Sequence, residues 1–205
     1  MGDIGRPESQ TPQNEKLSPF RSMMRKVARV VMEPEVMNDW FDKMGAKVDV
    51  PKMIWADSAT LMLRARSITE SENGIETFDK SRDTFTKDMS YILNSETYKK
   101  THGTTELQKM TREAYGKVSG QLVDLSADAY DDGIRNIIKG TAWSMIASDA
   151  DKVLTKSGSQ PISPEWKSNL WRIINVKTPD TQLLKSELEK FSKGDPSVFV
   201  SPVKT

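Results

Sequence analysis

Nearly every stretch of this sequence repeats its apolar side chains at intervals of three and four residues, the spacing of a helix face. Several stretches open with a hydroxyl residue followed by proline, which is the pattern of an N-cap with proline at the first helical position. These openings are Ser18-Pro19, Ser163-Pro164 and Thr178-Pro179, and Pro51 starts a further helix. No segment shows convincing strand alternation. The sequence therefore predicts an all-α fold, a compact multi-helix domain of about eight helices with extended N- and C-terminal arms.

Two patterns predict how these helices pack. An apolar series alternates three and four residues like a heptad seam, with Arg82 as a charged intruder for which an ion pair is the favoured explanation. The series is Ile75, Phe78, Arg82, Phe85, Met89 and Ile92. Gly116 and Gly120 lie four residues apart and predict a close approach of another helix. We expect a polar connection over 94–104, followed by a capping box of Thr105 and Gln108.

The chain divides by composition into three parts. Residues 1–18 have almost nothing to bury and predict a disordered arm, and residues 19–194 hold the helical patterns, with lobes at 19–100 and 105–194 as one arrangement. Residues 195–205 predict an extended apolar arm, because prolines flank it and disfavour a helix. Its apolar side chains are Val198, Phe199, Val200 and Val203. We expect them to dock in a groove, on a neighbouring subunit in preference to the chain's own domain.

Residue usage excludes much chemistry. The 205 residues include no cysteine and one histidine, so disulfides, thiol catalysis, triads and most transition-metal sites are not expected. A stripe of Asp124, Asp128, Asp131 and Asp132 leaves a divalent-metal enzyme as a weak alternative, and a solvated helix face explains it better. We therefore predict a protein that is not an enzyme, with no cofactor and no metal.

Net charge is +1 and mean hydropathy is −0.58, so a polyanion site would have to come from a local cluster. The first helix supplies one, with Arg21, Arg25, Lys26 and Arg29 opposite its apolar stripe. Arg64 and Arg66 add charge to a helix that is otherwise apolar nearly all round. These six residues are the predicted nucleic-acid or anion-binding residues. A solvated face, an anionic membrane surface and a partner helix are the alternatives for the first helix.

Trp143 lies opposite the apolar face of its own helix in the predicted register. Tryptophan is enriched at interaction sites, so an interface is one reading and contact with a second layer of the same fold is the other. Together these patterns predict a structural or interaction protein that self-associates. Its sharper form is a helical coat protein or nucleoprotein holding RNA or DNA. The alternative is an adaptor that uses the basic amphipathic helix 19–32 on a membrane or partner helix.

The same reading bears on location. The sequence shows no signal peptide and no run of apolar residues long enough to cross a membrane. We therefore expect a protein of the cytoplasm or of an assembled particle.

Overall fold

The computed structural model describes residues 50–68 and 74–201. This part of the chain is helical, as predicted, and its only extended backbone pairing is a single antiparallel bridge between Ile162 and Phe199. The helices are α1 Val50–Ser67, α2 Gly74–Asn94, α3 Glu96–His102, α4 Thr104–Ala127, α5 Asp132–Ser144, α6 Asp151–Lys156, α7 Pro164–Ile174 and α8 Thr181–Lys193.

The segment Met145–Ala150 joins α5 to α6 as a π-helix, so 132–156 is one continuous helix with a wider turn inside it. Counted this way, the described residues contain seven helices. π-Turns are rare and shift the side chains that follow them around the helix axis. This turn holds Asp149 and directly precedes Asp151, two carboxylates that reach different neighbours.

Helix α4 is the centre of the fold, since it packs against α1, α2, α3, α5 and α8. Its Tyr115 is fully buried and meets Phe85 of α2 edge to face, with ring centroids 5.0 Å apart. The predicted seam of α2 is confirmed at Phe78, Phe85, Met89 and Ile92, all of which are buried. Ile75, at the start of the seam, is instead exposed. Since α4 belongs to one core with helices on both sides, the proposed lobes share their interior.

The glycine pair of α4 allows α8 to approach closely. A Cβ at Gly116 would stand 2.5 Å from Ser192 Oγ, and one at Gly120 would touch Leu188 at 3.5 Å. Both contact residues belong to α8, so the predicted tight helix packing is present. Gly194 ends α8 in the left-handed conformation at φ 73°, which suits glycine best.

Three local predictions were wrong in detail. Residues Glu96–His102 form the short helix α3 within the expected polar connection. The capping box fails because α4 begins at Thr104 after Gly103, while Gln108 donates to the Ser157 carbonyl at 2.9 Å. The final helix begins two residues after the Thr178-Pro179 signal. Asp180 caps it by accepting the backbone N–H groups of Gln182 and Leu183.

Residues 195–201, here called the C-terminal strap, dock on the chain's own domain. Val198 is fully buried at the end of a turn of 3-10 helix over Pro196–Val198. Backbone bonds fix the strap to the loop before α7, from Ser163 N to Val198 O at 2.8 Å and from Val200 N to Pro161 O at 2.9 Å. The preference for a neighbouring subunit is therefore corrected for Val198 and Phe199, because their own core takes them up. Val200 is 38% exposed, and Val203 lies outside the described residues.

A ladder of stacked rings explains why the strap lies where it does. Trp166 of α7 stacks on Phe191 of α8, and Phe191 stacks in turn on Phe199, with centroids 5.9 and 6.4 Å apart. The strap thus closes an apolar gap between α7 and α8. Among the described residues, no helix is long and apolar enough to cross a membrane.

Candidate interaction surface

The outward side of α1 carries a stripe of apolar side chains that are partly exposed to solvent. At 100° per residue, Trp55, Ala59, Met62 and Arg66 share one face, with Leu63 at its edge. Trp55 is 48% exposed and Leu63 is 42% exposed. We call these five residues the α1 outer face. The sequence of this helix, apolar nearly all round, predicts burial on most of its sides, and the exposed side chains of Trp55 and Leu63 depart from that expectation.

The Trp55 ring is held in place by a cation. Lys117 of α4 lies over it, with Nζ 3.6 Å from the ring centroid. Such contacts contribute about 0.5–1 kcal/mol at exposed sites. The ring is thus oriented across the groove between α1 and α4, while about half of its surface still faces solvent.

The predicted anion-binding residues divide into three groups. Arg21, Arg25, Lys26 and Arg29 lie outside the described residues. Arg66 is exposed on the α1 outer face, whereas Arg64 is partly buried and lies about 180° from Trp55 on the helix. Asp57 and Thr60, which share the side of Arg64, are both buried. The structure therefore does not bring Arg64 and Arg66 together on one surface.

Arg82, the charged intruder in the α2 seam, forms a bidentate ion pair. Its Nε and Nη2 donate to the two carboxylate oxygens of Asp149 at 2.8 and 3.1 Å, and Nη2 also donates to Ser144 Oγ at 2.8 Å. The hydrogen bond to Asp149 raises the pKa of the guanidinium, so Arg82 stays charged. The favoured explanation from the sequence, a structural ion pair, matches this geometry.

A buried phenol extends this polar cluster. Tyr115 donates to Thr86 Oγ1 at 3.2 Å, and Thr86 in turn contacts Asp149 at 3.4 Å. Burial raises the pKa of the phenol far above its ordinary value, which keeps the hydroxyl neutral and able to donate. These contacts tie α2, α4 and the π-turn together. The polar cluster around Asp149 thus joins three elements.

The carboxylates of the C-terminal half are also held by protein partners. Asp151 accepts the Ile162 backbone N–H at 2.6 Å and Lys167 Nζ at 2.5 Å. Glu187 accepts the Trp166 indole N–H at 2.7 Å. Asp149 therefore points to α2, and Asp151 points to α7 and the loop before it.

The acidic stripe before α5 does not converge. Asp131 caps α5 by accepting the Ile134 N–H at 3.0 Å, and Asp132 pairs with Arg135 at 2.6 Å. Asp124 and Asp128 are exposed on and just after α4. Within the described residues, no group of three or more His, Cys, Asp or Glu side chains could hold a metal ion.

Trp143 does not point freely into solvent. It is partly buried against α7, where its ring meets Trp171 edge to face with centroids 5.2 Å apart, and its indole N–H reaches the Lys167 carbonyl at 3.3 Å. The second layer that it meets is part of the same fold, so the exposed position expected for an interface residue is corrected. The opposite face of α5 packs on α4, so Trp143 faces α7.

No family model matches this chain, and neither the curated proteins nor the solved structures include a match.

Proposed function

We propose that this protein is a non-catalytic structural or interaction protein that self-associates, with a second copy covering the α1 outer face. The observation that carries the proposal is the exposure of Trp55 and Leu63 on one apolar stripe. Large aromatic anchors dominate the energetics of protein interfaces. The stripe from Trp55 to Arg66 is about 16 Å long, enough for a helix-to-helix contact.

Charge complementarity favours a second copy as the occupant. Arg66 and Lys117 border the apolar stripe with positive charge, and Asp124 and Asp128 present exposed negative charge on and just after α4. A copy related by a two-fold axis would set like surfaces together, with the basic border of each able to reach the acidic stripe of the other.

The use of charged groups supports a non-catalytic role. Within the described residues, three partly buried carboxylates, those of Asp149, Asp151 and Glu187, each hold two structural elements together. A catalytic carboxylate instead needs a free oxygen directed at a substrate, close to a second acid, base or cation. These three carboxylates serve the packing of the fold.

The sharper form of the proposal is a coat protein or nucleoprotein that holds RNA or DNA through its basic residues. Arg21, Arg25, Lys26 and Arg29 are the proposed phosphate contacts, and Arg66 adds one on the α1 outer face. Arg64 is not included among the proposed phosphate contacts, because it lies on the opposite side of α1. Assembly lets a near-neutral chain bind a polyanion, since many weak sites act on one strand.

The self-association arm is tested by size-exclusion chromatography with light scattering on the full chain. Trp55→Ser with Leu63→Ser should reduce the mass to that of a monomer and leave the helical circular dichroism spectrum unchanged. Tyr91→Ser with Leu183→Ser is the matched control, because both residues are exposed on other helices. A wild-type monomer at all concentrations, or a Trp55/Leu63 variant that assembles like wild type, contradicts the proposal.

The nucleic-acid arm is tested by binding of RNA and DNA oligonucleotides over a range of salt concentrations. Arg21→Ala, Arg25→Ala and Arg29→Ala together should reduce affinity for every sequence and lower the salt slope by about 3, one unit for each lost phosphate contact. The control replaces Lys87, Lys100 and Lys185, which are exposed on three other helices, and should bind like wild type. Binding to anionic vesicles without binding to nucleic acid favours the adaptor alternative.

A further inference from the structure

Arg112 of α4 occupies an unusual place beside the end of α8. Its guanidinium lies against Gly194, where a Cβ would stand only 3.0–3.2 Å from Nη2, Cζ and Nε. Gly194 also has the left-handed conformation that favours glycine, at φ 73°. The backbone conformation therefore favours glycine there, and the absence of a side chain lets the guanidinium lie close to the backbone.

The donors of this arginine contrast with those of two other partly buried arginines. Arg82 directs its fork at Asp149 and Ser144, and Arg135 donates to Asp132 and to the carbonyls of Ser126 and Ala129. The Nε of Arg112 is buried and has no hydrogen-bond partner among the described residues. A buried donor on a charged group is costly to leave without an acceptor.

A groove of about 280 Å³ adjoins this guanidinium. Its polar side chains come from Ser159 and Gln160 of the loop before α7 and from Ser201 of the C-terminal strap. Pro196, Phe199 and Val200 of the strap form an apolar wall. The groove therefore offers a ligand one cation, several neutral hydrogen-bonding groups and a small apolar surface.

We propose that the Arg112 groove is a binding site for a carboxylate carried on a short apolar stem. The planar fork of arginine matches the two oxygens of a carboxylate, and the apolar wall accommodates the stem. A phosphate dianion fits less well, because the groove offers one cation and the charge of Glu113 acts on that same cation. Burial also lowers the pKa of Arg112, in keeping with a charge that has lost water without gaining an ion pair.

The stem could belong to a free carboxylic acid or to an acidic side chain of a peptide, since both present the same group. Propanoate and N-acetylglutamate amide are the two probes that separate these sources. The site is independent of the proposed self-association, because the groove shares no lining residue with the α1 outer face or with the charged residues proposed to border that contact. A failure here leaves that proposal untouched.

The test is an NMR titration of the full chain that follows the arginine Nε–Hε resonances, with the Arg112 signal assigned from its loss in Arg112→Lys. One of the two probes should shift that signal saturably, with a dissociation constant of order 1 mM. Propan-1-ol, which keeps the stem without the charge, should not shift it. Phosphate at matched ionic strength should bind at least tenfold more weakly.

Two variants keep the result interpretable. Arg112→Lys retains the charge and loses the fork, so it should melt near wild type while binding falls about tenfold. Arg172→Lys on α7 is the matched control and should bind like wild type, since Arg172 is exposed and outside the groove. No saturable shift with either probe, an equal shift at Arg172, or phosphate binding as tight as carboxylate overturns the proposal.

Discussion

The C-terminal strap and the α1 outer face both carry large apolar side chains, yet the fold treats them in opposite ways. Val198 is fully buried, and Val198 and Val200 make backbone hydrogen bonds to the loop before α7. Trp55 and Leu63 stay about half exposed on a regular helix. Apolar composition alone does not identify an interface. What separates the two regions is whether the chain itself provides a surface and backbone partners for them.

The largest effect is expected at the ion pair that anchors α2 to the π-turn. Arg82→Ala leaves the Asp149 carboxylate, only 15% exposed, without its cation. We expect the free energy of unfolding to fall by about 3 kcal/mol, the low end for a broken buried pair, because part of the site reaches solvent. Urea unfolding measures this loss. Arg82→Ala with Asp149→Ala should recover part of it, and additive losses would contradict the pairing.

Two valines of the strap test the docking of that segment directly. Val198→Ala should lower the free energy of unfolding by about 2 kcal/mol, because the side chain is fully buried. Val200→Ala, two residues further on and 38% exposed, should change it by less than about 0.5 kcal/mol. Thermal or urea unfolding compares the two variants. Equal effects would contradict the docking of the strap on its own core. A change of oligomeric mass in Val198→Ala would show that the strap docks on a neighbouring copy.

A pair of glycines tests how tightly α8, which carries the strap, lies on α4. Gly116→Val should destabilise the fold by about 1.5 kcal/mol, since its Cβ would stand 2.5 Å from Ser192 Oγ. Gly140→Val on α5 is the control, because nothing lies within 4 Å of a Cβ at that position. The control should stay within about 0.5 kcal/mol of wild type, since valine costs less in a helix than glycine. A neutral Gly116→Val would show that α8 can move away freely.

The smallest effect is expected from lowering the pH, which should weaken the turn at the start of the strap. Asp195 is the first residue of the strap. Hydrogen bonds from the Ser197 hydroxyl and backbone N–H lower the pKa of the Asp195 carboxyl. A lowered carboxylate pKa stabilises the turn above the pKa of the unfolded chain, and this contribution is lost as pH falls through the folded-state value. The Ser197 amide should therefore lose protection from hydrogen exchange in acid. Asp195→Asn should remove this pH dependence of protection. If the pH dependence persists in the variant, a group other than Asp195 causes it.

The sequence allowed much of this architecture to be predicted, because its signals are local. Apolar spacing located the helices, Ser163 and Gly194 marked helix ends, and the pair Gly116 and Gly120 marked a close helix contact. Arg82 was recognised as needing a partner. Its partner Asp149 lies 67 positions away, and no local pattern identifies so distant a contact.

The candidate surfaces were harder to predict for the same reason. Trp55 looked like core because its helix is apolar on nearly every side, and only tertiary packing decides which side stays exposed. Trp143 looked exposed because α7, its packing partner, follows a loop. The Arg112 site went unnoticed because it is made by a helix, a cap glycine and a strap that are distant in sequence. In the sequence, only Gly194, the glycine that follows α8, pointed to an unusual backbone conformation at this site.

We propose that copies of this chain meet at the α1 outer face while the strap remains within each copy. The cysteine-free sequence permits a direct test, in which a photoactivatable cross-linker is attached to a single introduced cysteine. Leu63→Cys should yield covalent dimers joined at α1, whereas Val200→Cys should yield cross-links within one chain. Dimers from Val200→Cys together with none from Leu63→Cys would contradict the account.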